Sequence, residues 1–103
     1  MDIQSVFLKK MLLEMAKRKA SSLHLSVGSN PMMRIHGRLI SMDQEGVLKR
    51  SDIEKVIQSF IEEEEVAELK EKKEIMIVKD FGENFRFRIN IFFQKNNLSA
   101  SFS

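Results

Sequence analysis

The sequence contains no cysteine in its 103 residues, which excludes a disulfide framework and a thiolate metal site and fits a reducing cytoplasm. It has only two histidines, His24 and His36, and nothing in the sequence supports metal ligation by the pair. Its four glycines, Gly28, Gly37, Gly46 and Gly82, never build a G-x-x-x-x-G-K-[ST] loop, so the chain has no phosphate cradle and is not expected to hydrolyse ATP alone. No segment approaches the ~20 consecutive apolar residues of a membrane span. Met1 to Lys19 is amphipathic, interrupted by Lys9, Lys10 and Glu14, and does not read as a signal peptide. Charge of one sign is also scarce: 17 basic and 15 acidic residues leave a net +2, too little to imply nucleic acid or an anionic membrane.

What is present is the balance of an ordinary folded protein, 43% hydrophobic and 31% charged, at a length suited to one domain with one modest core. Asp2 to Lys19 reads as a helix: Ile3, Phe7, Met11 and Met15 recur every fourth residue, Val6 and Leu13 widen the stripe, and Asp2 and Lys17 to Lys19 match the helix dipole. Ser22 to Val27 then alternates, with Leu23, Leu25 and Val27 on one side and Ser22, His24 and Ser26 on the other. After the turn at 28–31, Met32 to Ile35 and Arg38 to Met42 form a hairpin across His36-Gly37, and Asp43 to Gly46 is a polar loop. Ser51-Asp52-Ile53-Glu54 reads as a capping box opening a helix whose buried face is Ile53, Val56, Ile57, Phe60 and Ile61. The acidic run Glu62 to Glu65 reads as the solvated first turn of another helix, packed through Val66 and Leu69. A metal site would need carboxylates converging from separate elements.

Ile75 to Phe81 is a strand, and Phe85 to Gln94 is the most regular alternation in the chain. Phe85, Phe87, Ile89, Ile91 and Phe93 face one side; Arg86, Arg88, Asn90, Phe92 and Gln94 face the other. Lys95 to Asn97 turns the chain into a last strand with Leu98, Ala100 and Phe102, which ends without a turn or cap. The order α-β-β-β-α-α-β-β-β with short turns predicts a single α+β domain, an antiparallel sheet with helices on one face.

Arg86 and Arg88 would stand about 7 Å apart on the open face, a spacing suited to phosphate or carboxylate. His24 is expected beside them and Arg34 joins them if the register allows. The plainer reading is that these charges merely solvate an open sheet. Phenylalanines interleaved with arginines can mark single-stranded nucleic acid binding, but period two sends the two residue types to opposite faces, so no nucleic acid partner is expected. No nucleophile and base stand together; Ser22 and Ser26 beside His24 are ordinary for an exposed strand.

The stretch Ala20-Ser21-Ser22-Leu23-His24-Leu25-Ser26-Val27-Gly28, followed by Pro31-Met32-Met33-Arg34-Ile35-His36-Gly37, resembles the opening signature of PilT-like twitching-motility retraction ATPases, A-S-D-L-H-L-x-x-G-x-P-P-x-x-R-x-x-G. Phe85 to Gln94 resembles the R-F-R-V-N-x-F-x-Q strand of the same family, within the type II secretion and type IV pilus ATPases. Ser22, Asn30 and His36 depart from the aspartate, proline and aspartate usual at those places. The resemblance implies a PAS-like N-terminal domain over 1–103, a RecA-like ATPase domain downstream that holds ATP and Mg, and a cytoplasmic homo-hexamer. It implies packing on the neighbouring subunit's ATPase domain, and contact with the pilus or secretion machinery at the inner membrane without insertion. Arg86 and Arg88 are then the candidates to approach the nucleotide, with Arg34 and His24 as motif residues of less certain role. The alternative is a free-standing PAS-like sensor or adaptor, which needs a ligand pocket between helices and sheet that no polar residue on the apolar face announces.

Overall fold

In the computed structural model, which describes residues 3–103, the element order is the expected one: α1 (Val6–Arg18), β1 (Ser22–Leu25), β2 (Met32–Ile35), β3 (Arg38–Ser41), α2 (Arg50–Gln58), α3 (Glu63–Lys72), β4 (Glu74–Phe81), β5 (Phe85–Gln94) and β6 (Asn97–Phe102), with a short 3-10 turn at Asp43–Glu45. The strands make one antiparallel sheet in the order β3-β2-β1-β6-β5-β4. The last strand therefore inserts between the first and the fifth, and joins two hairpin units into one sheet.

Local chemistry explains the element boundaries. Ser5 caps α1, its hydroxyl accepting from the Leu8 N–H at 3.1 Å, which satisfies one of the free donors at a helix start. Lys19 ends the helix in the left-handed region at φ 57°. His36 and Gly37 both take positive φ, 50° and 78°, the signature of a tight type I′ hairpin turn. Lys95 and Asn96 repeat it between β5 and β6 at 52° and 65°.

Two sequence expectations shift by a residue or two. The buried stripe of α1 is Leu8, Met11, Leu12 and Met15, whereas Val6 is 85% and Leu13 50% exposed. Spacing explains this: Leu13 lies two residues, or 200°, from Met11, so the two cannot share a face. The expected start at Asp2 lies outside the described residues. The box at Ser51 and Glu54 does not form. α2 starts at Arg50, and the Asp52 carboxylate accepts from the Lys49 N–H at 2.8 Å. Glu65 does the same for Glu62 at the start of α3, at 3.0 Å.

The helices cover one face, α1 against β1, α2 against β6 and α3 against β4. The core between the layers holds Leu8, Leu12, Leu23, Leu25, Met33, Ile89, Ile91 and Phe102, all essentially inaccessible. At its centre Phe60, just past α2, meets Phe81 and Phe102 edge-on, with ring centroids 5.6 and 6.0 Å away. Such geometry suits the aromatic quadrupole. No helix is long and apolar enough to cross a membrane among the described residues.

Candidate functional site

The sheet face away from the helices is where period two and strand register bring the charged motif residues together. β5 turns Arg86, Arg88 and Asn90 outward while Phe87, Ile89 and Ile91 go into the core. β1 does the same with Ser22 and His24 against Leu23 and Leu25. Register then decides Arg34: Ser22 stands opposite Arg34, and Leu23 opposite Phe102, so the next pair outward is Ser22 with Ser103. Ser103 in turn exchanges both backbone hydrogen bonds with Arg88, at 2.8 and 2.9 Å. Arg34, Ser22, Ser103 and Arg88 therefore form one row across four strands, with the two arginines at its ends roughly 14 Å apart at the backbone, three strand spacings. His24 lies in the adjoining row, opposite Ser101, which is opposite Asn90.

The individual side chains differ in freedom. Arg86 faces Asp80 across the β4–β5 pair at 3.7 Å, both largely exposed at 75% and 60%, a contact of little energetic weight at the surface. Arg88 is exposed, opposite Val78, and makes no ion pair among the described residues. Arg34 donates to the Gly37 carbonyl at 3.1 Å, bracing the β2–β3 turn. The Ser22 hydroxyl lies 2.9 Å from His24 Nε2. Burial, and after it the charge of Arg34, hold the His24 imidazole below its usual value of 6.5; a neutral ring can accept the Ser22 proton at that nitrogen. Met76, Val78 and Phe92 add apolar surface between the charges. The face is thus mixed in charge, Arg34, Arg86 and Arg88 against Glu74 and Asp80 of β4, and partly apolar, with its basic groups open to an anionic surface or a phosphate group. His36 sits apart, in the β2–β3 turn. No group of three histidine, aspartate or glutamate residues converges as a metal site among the described residues.

Sequence reading missed Lys79. It faces the helices in phase with Ile75, Ile77 and Phe81, its side chain 9% exposed and its ammonium 3.0 Å from Glu65 and 3.5 Å from Glu62. The acidic run is therefore not wholly solvated: two of its members hold a lysine under α3. The available signal was a lysine on the core phase of an apolar strand, preceded by a glutamate-rich helix start.

No family model matches the sequence, and no curated protein matches it. Solved structures do. The pilus retraction motor PilT with bound ADP superposes over 90% of this chain with a TM-score of 0.83 at 26% identity. The ATPase DotB of Legionella pneumophila matches over 94% with a TM-score of 0.76 at 20% identity, and that of Yersinia pseudotuberculosis over 92% at 0.73 and 19%. The chain spans only 27% to 28% of the length of these proteins. The likeness carried by the two sequence motifs is thus matched by a likeness of fold: nearly the whole chain is similar to one part, about a quarter, of PilT and of the DotB ATPases.

Proposed function

We propose that this chain is the N-terminal regulatory and assembly domain of a hexameric, cytoplasmic motor ATPase of the type IV pilus or type II secretion kind, with a RecA-like domain following it. Its open sheet face packs on the ATPase domain of the neighbouring subunit and offers arginines to the ATP held there. Support comes from one observation above others: Arg34 and Arg88 end a single row on an uncovered face, in a chain whose fold matches a motor that binds ADP. ATP and Mg are assigned to the downstream domain, since the 103-residue sequence has no glycine-rich phosphate cradle.

Arg88 is the leading candidate because its guanidinium has no partner to give up among the described residues. Arg86 must first leave Asp80, a small cost at an exposed pair. Arg34 is held by its turn and His24 by Ser22, so both suit docking better than phosphate contact. An arginine brought to a transferring phosphoryl group is worth about 10³–10⁵ in rate.

The test is ATP turnover by the full-length protein. Arg88→Ala is expected to lower kcat by about a thousandfold or more while the isolated chain melts within ~0.5 kcal/mol of wild type. Wild-type turnover in the Arg86→Ala/Arg88→Ala double variant would remove the phosphate role. A coding sequence without a G-x-x-x-x-G-K-[ST] loop beyond Ser103 would remove the motor itself.

A further inference from the structure

On the helix-covered side of the sheet, α2 and α3 separate from their link at 59–62 and leave a cleft of about 370 Å³. Its walls are Ile57, Ile61, Val66 and Leu69, and the β5–β6 hairpin contributes Phe93 and Leu98. The size falls within the ~300–1,000 Å³ of small-molecule sites, and so does the design, an apolar body with a few polar groups at the edge. Phe93 keeps 38% of its surface exposed although it lies on the core phase of β5. A ligand that covers it removes apolar area from water.

The rim has a sign. Arg50 donates from Nε to Asn97 Oδ1 at 2.7 Å, which ties the start of α2 to the hairpin and fixes the guanidinium plane at the cleft. Lys70 also lines it, and Lys73 lies over the Phe93 ring at 5.5 Å. Glu54 is the one carboxylate of the lining. None of these four is in an ion pair among the described residues. Two cations of the lining, Arg50 and Lys70, against one anion favour a negatively charged ligand, and Glu54 on the same rim disfavours a second negative charge.

We propose that this cleft binds a small monocarboxylate with an apolar body, the carboxylate at Arg50 and the body against Ile61, Leu69 and Phe93. The site is independent of the arginine row, which lies on the opposite face of the sheet, so either assignment can fail without the other. A ligand there bridges α2, α3 and the hairpin, and stabilises their packing in proportion to its occupancy.

The test is titration of the isotopically labelled 103-residue chain with sodium octanoate, followed by amide NMR shifts, with 1-octanol and octylammonium as matched probes. Octanoate is expected to give saturable shifts confined to residues 50–70 and 93–98, with 1-octanol about tenfold weaker for want of the charged hydrogen bond and octylammonium weaker still. Arg50→Gln should bring octanoate down to the level of 1-octanol and leave 1-octanol unchanged. Lys70→Gln, which preserves the Arg50–Asn97 hydrogen bond, should weaken octanoate by a smaller factor. Equal binding of octanoate and 1-octanol, full octanoate affinity in both variants, or shifts scattered over the surface would each overturn the proposal.

Discussion

Lys79 offers the sharpest test of how the helix layer is held to the sheet. Lys79→Met keeps the aliphatic stem against the core and deletes the ammonium that Glu65 and Glu62 approach at 3.0 and 3.5 Å. Removing one partner of a fully buried ion pair costs about 3–5 kcal/mol, because the other charge is left without solvent. Here Glu65 retains 19% exposure and Glu62 60%, so both carboxylates recover part of their hydration. The expected loss is therefore smaller, about 1–3 kcal/mol. At ~4–8 °C per kcal/mol for a domain of this size, the midpoint should fall by about 5–20 °C. Circular dichroism melts and urea unfolding of the 103-residue chain measure it. A double-mutant cycle with Glu65→Gln locates the cause: the double variant should lose clearly less than the sum of the single losses. If Lys79→Met is as stable as wild type, or the losses simply add, the lysine is not what fastens α3 to β4.

Burial holds the His24 pKa down, so the unfolded chain takes up a proton before the folded chain does as pH drops. The stability that neutral His24 contributes is then complete above about pH 6.5 and is lost as pH falls from there toward the depressed folded value. Urea midpoints should decline between pH 7.5 and 5.5 more in wild type than in His24→Gln, and NMR should place the His24 midpoint below 6.5; equal declines would contradict this. Leu12→Ala, at an inaccessible position of α1, should cost about 2–5 kcal/mol, whereas Leu13→Ala, half exposed, should stay within ~0.5 kcal/mol. Thermal melts of the two variants decide between the observed stripe and the one that includes Leu13.

The elements that sequence reading placed best are those whose chemistry is local. β5 begins and ends at Phe85 and Gln94 as expected, because a ten-residue alternation with a tight turn on each side admits one phase only. The His36-Gly37 hairpin likewise follows from residues tolerant of positive φ. The α1 stripe was harder. Its apolar residues are numerous enough to support two overlapping stripes, and the sheet beneath chose the one centred on Met11 and Leu12. At α2, capping by Ser51 competed with capping by Asp52, and the latter prevailed because the chain enters the helix two residues earlier.

The sequence by itself determined which residues of a strand share a face, hence that Arg86 and Arg88 point away from Phe87 and Ile89, because alternation is a property of the extended backbone. Only the tertiary structure decided that Arg34 and Arg88 end the same row. That alignment depends on β6 pairing with both β1 and β5, strands far apart in the chain. The partners of Lys79 and the cleft between α2, α3 and the β5–β6 hairpin belong to the same class. Each is set by how one layer settles on the other, and no local period encodes that.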